Sequence, residues 1–116
     1  MANLSILSQL ENYLSLTNQR ETVIASNMAN VDTPGYQTKD VEFQHELARA
    51  MTAPDGSTPH AAIQDVRGLL ERPDGNNVDI DREAMKLSEV QLQYQMGTQL
   101  MKDRFHQMIT AINGDE

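Results

Sequence analysis

The stretch from Asp81 to Ile112 reads DREAMKLSEVQLQYQMGTQLMKDRFHQMITAI, and its spacing of apolar residues is that of a long helix. Counting from the residue just before it, Ile80, Leu87, Tyr94, Met101 and Met108 recur every seven positions. Ala84, Gln91, Thr98, Phe105 and Ile112 repeat the same interval four positions later. None of these ten positions is charged. A seven-residue repeat held this long implies a helix that supercoils left-handedly against a partner helix. Asp79 or Asp81 is the expected N-cap, with Glu83 adding favourable negative charge in the first turn, and Gly114 closes the element. A second apolar set, Met85, Leu92, Met96 and Leu100, lies mostly off that stripe, so one partner helix cannot cover both. A helix of this length spans about 48 Å, whereas a compact domain of this size has a radius of gyration near 13 Å. The helix should therefore project beyond any compact body and offer apolar surface to other chains.

Working toward the N-terminus, Arg72-Pro73-Asp74-Gly75-Asn76-Asn77 is a strong loop signal. Ala61 to Glu71 fits a strand, a turn or one helical turn. Thr52 to His60, with two prolines and Pro-Asp-Gly, reads as loop. Phe43, Leu47 and Met51 are spaced by four and predict a short helix from Val41 to Ala50. Thr33-Pro34-Gly35-Tyr36 reads as a type II turn: proline presets φ at the second position and glycine supplies positive φ at the third. Before it, Ser5 to Asn30 reads as a helix with Leu7, Leu10, Leu14, Thr17, Ile24, Met28 and Val31 at helical spacing, weakened where Thr17 and Glu21 take core-type positions. Asn30 is the expected helix end, because asparagine tolerates the left-handed conformation found there.

The fold expected is all-α: long N- and C-terminal helices pairing as an elongated, coiled-coil-like bundle around a short irregular middle segment. The parts are residues 1–36, 37–78 and 79–116, forming one structural unit. The helix-packing set is Leu7, Leu10, Leu14, Ile24, Met28, Leu87, Tyr94, Met101, Phe105, Met108 and Ile112. The set expected at contacts between subunits is Met85, Leu92, Met96 and Leu100.

Composition narrows the function. The 116 residues carry 17 acids against 9 bases, a net charge of −8, which argues against a nucleic-acid binder or an anionic-lipid anchor. The absence of cysteine removes disulfides, thiol nucleophiles and cysteine-ligated metals. No run approaches 18 apolar residues, so no membrane insertion is expected. The N-terminus lacks a basic start and is broken by Gln9 and Glu11, unlike a cleaved secretory signal.

Chemistry is sparse. His45, His60 and His106 lie on separate segments without His-x-x-x-His spacing, so no metal site is expected. The Asp74–Asp81 stretch fails as a calcium loop. Counted from Asp74, Asp79 and Met85 stand where glycine and a bidentate glutamate are required; counted from Asp79, Ala84 and Val90 do. Nothing selects a carboxylate pair from the 17 acids, and no phosphate loop or Gly-x-Ser-x-Gly occurs. Neither catalysis nor a cofactor is expected.

Ile24-Ala25-Ser26-Asn27-Met28-Ala29-Asn30-Val31-Asp32-Thr33-Pro34-Gly35-Tyr36 resembles the N-terminal signature of the bacterial flagellar rod and hook proteins, in which an Asn-x-Ala-Asn helix end runs into a Thr-Pro-Gly-aromatic turn. Lys39-Asp40-Val41-Glu42-Phe43, Asn77-Val78-Asp79-Ile80-Asp81-Arg82-Glu83 and Tyr94-Gln95-Met96-Gly97 resemble proximal rod members of that family. The likeness covers about two-thirds of the chain, with no match from Thr52 to Arg72. It implies an axial structural protein of the basal body that polymerises with copies of itself and helps couple the MS ring to the rod. It implies export through the flagellar type III apparatus without a cleaved signal, and a place in the periplasmic rod. The partners it implies are the adaptor FliE, the MS-ring protein FliF and the rod proteins FlgC and FlgF. By motif match Asn27 and Asn30 would make helix-end hydrogen bonds, Pro34 and Gly35 the sharp exit, and Tyr36 an anchor on a neighbouring helix. The competing reading is a cytoplasmic helical adaptor or chaperone, which has no need of the turn signature.

Overall fold

A computed structural model describes residues 2–52 and 60–114, with side chains from residue 6 onward. The order is α1 (Ala2–Ala29), β1 (Lys39–Val41), α2 (Phe43–Met51), β2 (Ile63–Asp65) and α3 (Ile80–Asn113). Most of the expected Thr52–His60 loop lies outside the described residues.

The two long helices form because neither contains proline, and their ends are stopped chemically. Asp79 caps α3, its carboxylate accepting from the backbone N–H groups of Asp81 at 3.1 Å and Arg82 at 3.3 Å. Gly114 closes α3 in the left-handed conformation at φ 69°. At the end of α1 the expectation for Asn30 needs correction. Among the described residues only glycines have positive φ, so Asn30 is not left-handed. Instead its side chain turns back, Nδ2 donating to the Ser26 carbonyl at 2.8 Å while Oδ1 accepts from the Thr33 hydroxyl at 3.0 Å. The type II turn follows as expected, with Gly35 at φ 77° and the Tyr36 N–H donating to the Thr33 carbonyl.

α1 and α3 run antiparallel in one continuous register. Asn27 meets Glu83, Arg20 meets Glu89, and Leu14 meets Gly97. The molecule measures 65 × 27 × 18 Å with a radius of gyration of 17.9 Å, well above that of a compact body this size. The middle segment differs from the sequence reading in one respect. Residues 39–41 form a strand, so the short helix starts at Phe43 rather than Val41. That strand pairs antiparallel with β2, Asp40 opposite Gln64, which settles the 61–71 stretch as containing a short strand. All three β2 residues are exposed, so backbone pairing and the exposed Lys39–Asp65 ion pair hold it rather than a buried face.

The core is small: Leu16, Val23, Ile24, Val41, Phe43, Ala50, Val78 and Val90 are its buried apolar residues. Helix α1 is buried on two sides, against α3 and against β1 and α2, which is why Leu16 and Val23 join Ile24 inside. Thr17 at its core-type position is also buried, because its hydroxyl donates to the Leu14 carbonyl at 2.7 Å and leaves no unpaired group. Tyr13 meets Phe43 edge to face, ring centroids 5.4 Å apart, and so fastens α2 to α1.

Candidate assembly interface

On α3 the buried residues are Glu83, Val90 and Gly97, themselves a seven-residue repeat. This seam lies beside the expected stripes. Leu87, Met101 and Met108 flank it half-buried, as do Leu7, Leu10, Leu14 and Met28 on α1. Tyr94 is exposed, and Phe105 and Ile112 are 49% and 79% exposed, so within one chain these three do not belong to the helix-packing set. The physical reason is Gly97. A Cβ there would stand 2.7 Å from Leu14 Cδ2 and 3.0 Å from Tyr13, so its absence is what lets the helices close along this line. Closure along the glycine line rotates the apolar stripes to the two flanks of the seam. On one flank Met85, Leu92, Met96 and Leu100 stay exposed; on the other stand Ile80, Phe105, Ile109 and Ile112.

Burying Glu83 requires partners, and these come from the turn motif. The Asn27 side chain, itself fully buried, donates from Nδ2 to Glu83 Oε1 at 2.6 Å and to the Lys39 carbonyl at 2.7 Å. Its Oδ1 accepts from the Tyr36 hydroxyl and the Lys39 N–H, both at 3.0 Å. Arg82 completes the carboxylate, Nη1 donating to Glu83 Oε2 at 2.6 Å. Asn27 is therefore not a helix-end cap but the hub joining α1, β1 and α3. Tyr36 anchors on that hub.

The loop before α3 locks onto the turn. Asn76 Nδ2 donates to the carbonyls of Asn30 and Thr33 at 2.9 and 2.8 Å, and its Oδ1 accepts from the Val78 N–H. Asn77 Oδ1 accepts from the Thr38 N–H at 2.6 Å while its Nδ2 donates to Gln37 Oε1. The Gly35 N–H donates to the Asp74 carbonyl at 2.9 Å. Gly75, at φ 86°, sits so close that a Cβ there would lie 3.3 Å from Gly35 Cα. Two stretches some forty residues apart thus form one amide-rich junction. Gly75, Asn76, Asn77 and Glu83 are not among the expected site residues; the signals for them are the doubled asparagine after glycine and the family-like Asn77–Glu83 stretch.

Beside the junction lies a line of alternating charge. Arg20, 6% exposed, grips Asp40 with two hydrogen bonds at 3.1 and 3.3 Å. Glu89 stands 3.7 Å from Arg20, and Arg82 3.9 Å from Asp40. The bidentate geometry suits a partly buried pair and orients α1 on β1. Burial raises the pKa of the Tyr13 phenol above its usual value, so it stays neutral in the adjoining groove.

Among the described residues no three His, Asp or Glu side chains converge as metal ligands, and no helix is long and apolar enough to cross a membrane.

Comparison with known proteins agrees with this geometry. Residues 14–37, which carry the hub and the turn, match the family model described as flagella basal body rod protein. The flagellar basal body rod protein FlgB of Salmonella typhimurium is 31% identical over 87% of this chain and 88% of its own length. FlgB of Escherichia coli is 32% identical over 85% and 86%, and that of Bacillus subtilis 31% identical over 93% of each chain. With relatives this similar over most of both chains, the chain belongs to the FlgB family of structural subunits of the flagellar basal body rod.

Proposed function

We propose that this chain polymerises in the proximal rod through α1 and α3 and helps pass torque from the MS ring to the rod, a structural role without catalysis. The observation that supports this reading is the exposure of Met85, Leu92, Met96 and Leu100 along one flank of α3. Exposed apolar side chains in such a row are what a subunit keeps for its neighbours. In this reading residues 1–36 and 79–116 build the rod wall and residues 37–78 form the short link between them. Its neighbours are copies of itself, FliE, FlgC, FlgF and the MS-ring protein FliF. It reaches the periplasmic rod through the type III export apparatus without a cleaved signal.

The rigid junction suits torque transfer. A load applied to α3 passes through the Glu83–Asn27 contact and the Arg20–Asp40 pair into α1 and β1 rather than into a free loop.

The test is a chain carrying Leu92→Asp and Met96→Asp together. Both sites are exposed, so thermal stability should change by no more than about 0.5 kcal/mol each. Export should persist, whereas rods should fail to assemble and cells should not swim. Motile cells carrying both changes would contradict the reading.

A further inference from the structure

The bundle end built from α1 between Ile6 and Gln19 and α3 between Val90 and Gly114 is nearly free of charge. It carries Glu11, Lys102, Asp103 and Arg104, which cancel, so the net −8 resides elsewhere in the chain. Copies of one acidic chain repel each other at their charged surfaces and meet no such barrier across this end.

Two apolar features occupy this end and face opposite ways. One is a groove of about 280 Å³, lined by Leu10 and Tyr13 of α1, Leu47 and Met51 of α2, and Met96 and Leu100 of α3. The other is a ridge of Phe105, Ile109 and Ile112, spaced i, i+4, i+7 and 49–79% exposed. At 3.6 residues per turn the ridge falls on roughly the opposite side of α3 from Met96 and Leu100. No charged residue follows Arg104 until beyond Gly114, so the ridge enters an apolar groove without desolvating a formal charge.

We propose that the Phe105–Ile109–Ile112 ridge of one copy docks in the Leu10–Leu47–Leu100 groove of a second copy of this chain. The proposal rests on the rod reading above and specifies the contact it requires. Ridge and groove are different surfaces, so the contact is head-to-tail and builds a ring or a helical array instead of closing a two-fold dimer. Ridge and groove each contribute only a few side chains, so a pair of copies in dilute solution stays apart, and the contact forms where copies are crowded, at high concentration or among neighbours in the rod.

The chain has no cysteine, so introduced thiols report cleanly. Leu100→Cys and Ile109→Cys are placed in one chain. They lie nine residues apart on α3, about 13 Å, too far for a bond within the chain. Mild oxidation of isolated basal bodies should join copies of this double variant into multimers. Either single variant should give monomer only. Leu47→Cys with Ile112→Cys is an independent pair with the same expected outcome. If a pair does not enter rods, the purified full-length variant is oxidised at several hundred micromolar and should give the same multimers. Three results overturn the docking: no cross-link from either pair, dimers from a single variant, or a product containing a different axial protein. Motile cells with uncross-linked subunits would overturn the docking alone. Absence of the wild-type chain from purified basal bodies would instead overturn the rod reading.

Discussion

Replacing Asn27 by leucine should destabilise the free chain by roughly 4 kcal/mol, enough to lower the melting temperature by more than about 10 °C. The two side chains are close in size, so packing changes little. What is lost is the whole hydrogen-bonding set of a fully buried amide. The Lys39 carbonyl and N–H, the Tyr36 hydroxyl and Glu83 Oε1 each lose a partner at 2.6–3.0 Å. A buried polar group left unpaired costs about 1–3 kcal/mol, and a carboxylate more. Arg82 still holds the other Glu83 oxygen, which limits the loss. The check is thermal or urea unfolding followed by circular dichroism. Adding Glu83→Gln to the variant should cost less than it does in the parent chain, because the two residues share one contact. A loss below about 1 kcal/mol for Asn27→Leu would remove the hub from the account.

Gly97→Leu should cost about 2–3 kcal/mol, although glycine is a poor helix former. Helix propensity alone predicts a gain of roughly 1 kcal/mol for replacing a mid-helix glycine. The packing effect opposes it and is larger. Even a Cβ would meet Leu14 Cδ2 at 2.7 Å and the Tyr13 ring at 3.0–3.1 Å. Alanine needs the tip of Leu14 to swing and the Tyr13 ring to give by a few tenths of an ångström, so Gly97→Ala should cost less than Gly97→Leu, propensity offsetting part of the displacement. Leucine must also displace the Tyr13 ring, which is stacked edge-on against Phe43. Unfolding curves for the three chains check the order. A more stable Gly97→Leu chain would show that the seam is not closed along the glycine line.

These two residues also mark where the sequence could and could not be read. The long C-terminal helix, its Asp79 cap, its Gly114 stop and the turn at Gly35 follow from local chemistry and stand as expected. The side of α3 that meets α1 does not follow from counting apolar residues. Its buried repeat consists of Glu83, Val90 and Gly97, and an apolar count skips the first and third. A glycine attracts a partner helix by lacking a side chain, and a glutamate can be buried only when a distant amide satisfies it. Neither condition is local. The strands at 39–41 and 63–65 are likewise fixed by pairing with each other and not by alternation within either. The turn motif was legible as a motif, but its junction with Asn76 and Asn77 depends on contacts across some forty residues.

The proposed function requires that the apolar flank of α3, open in the free chain, be covered in the rod. It is tested most directly by the maleimide reactivity of a single cysteine at Leu92, a site exposed in the single chain. The Leu92→Cys chain should label at the rate of a free thiol when purified, and at least about tenfold more slowly in isolated basal bodies, a difference of ~1.4 kcal/mol in accessibility. Equal labelling rates in the two preparations would contradict the account.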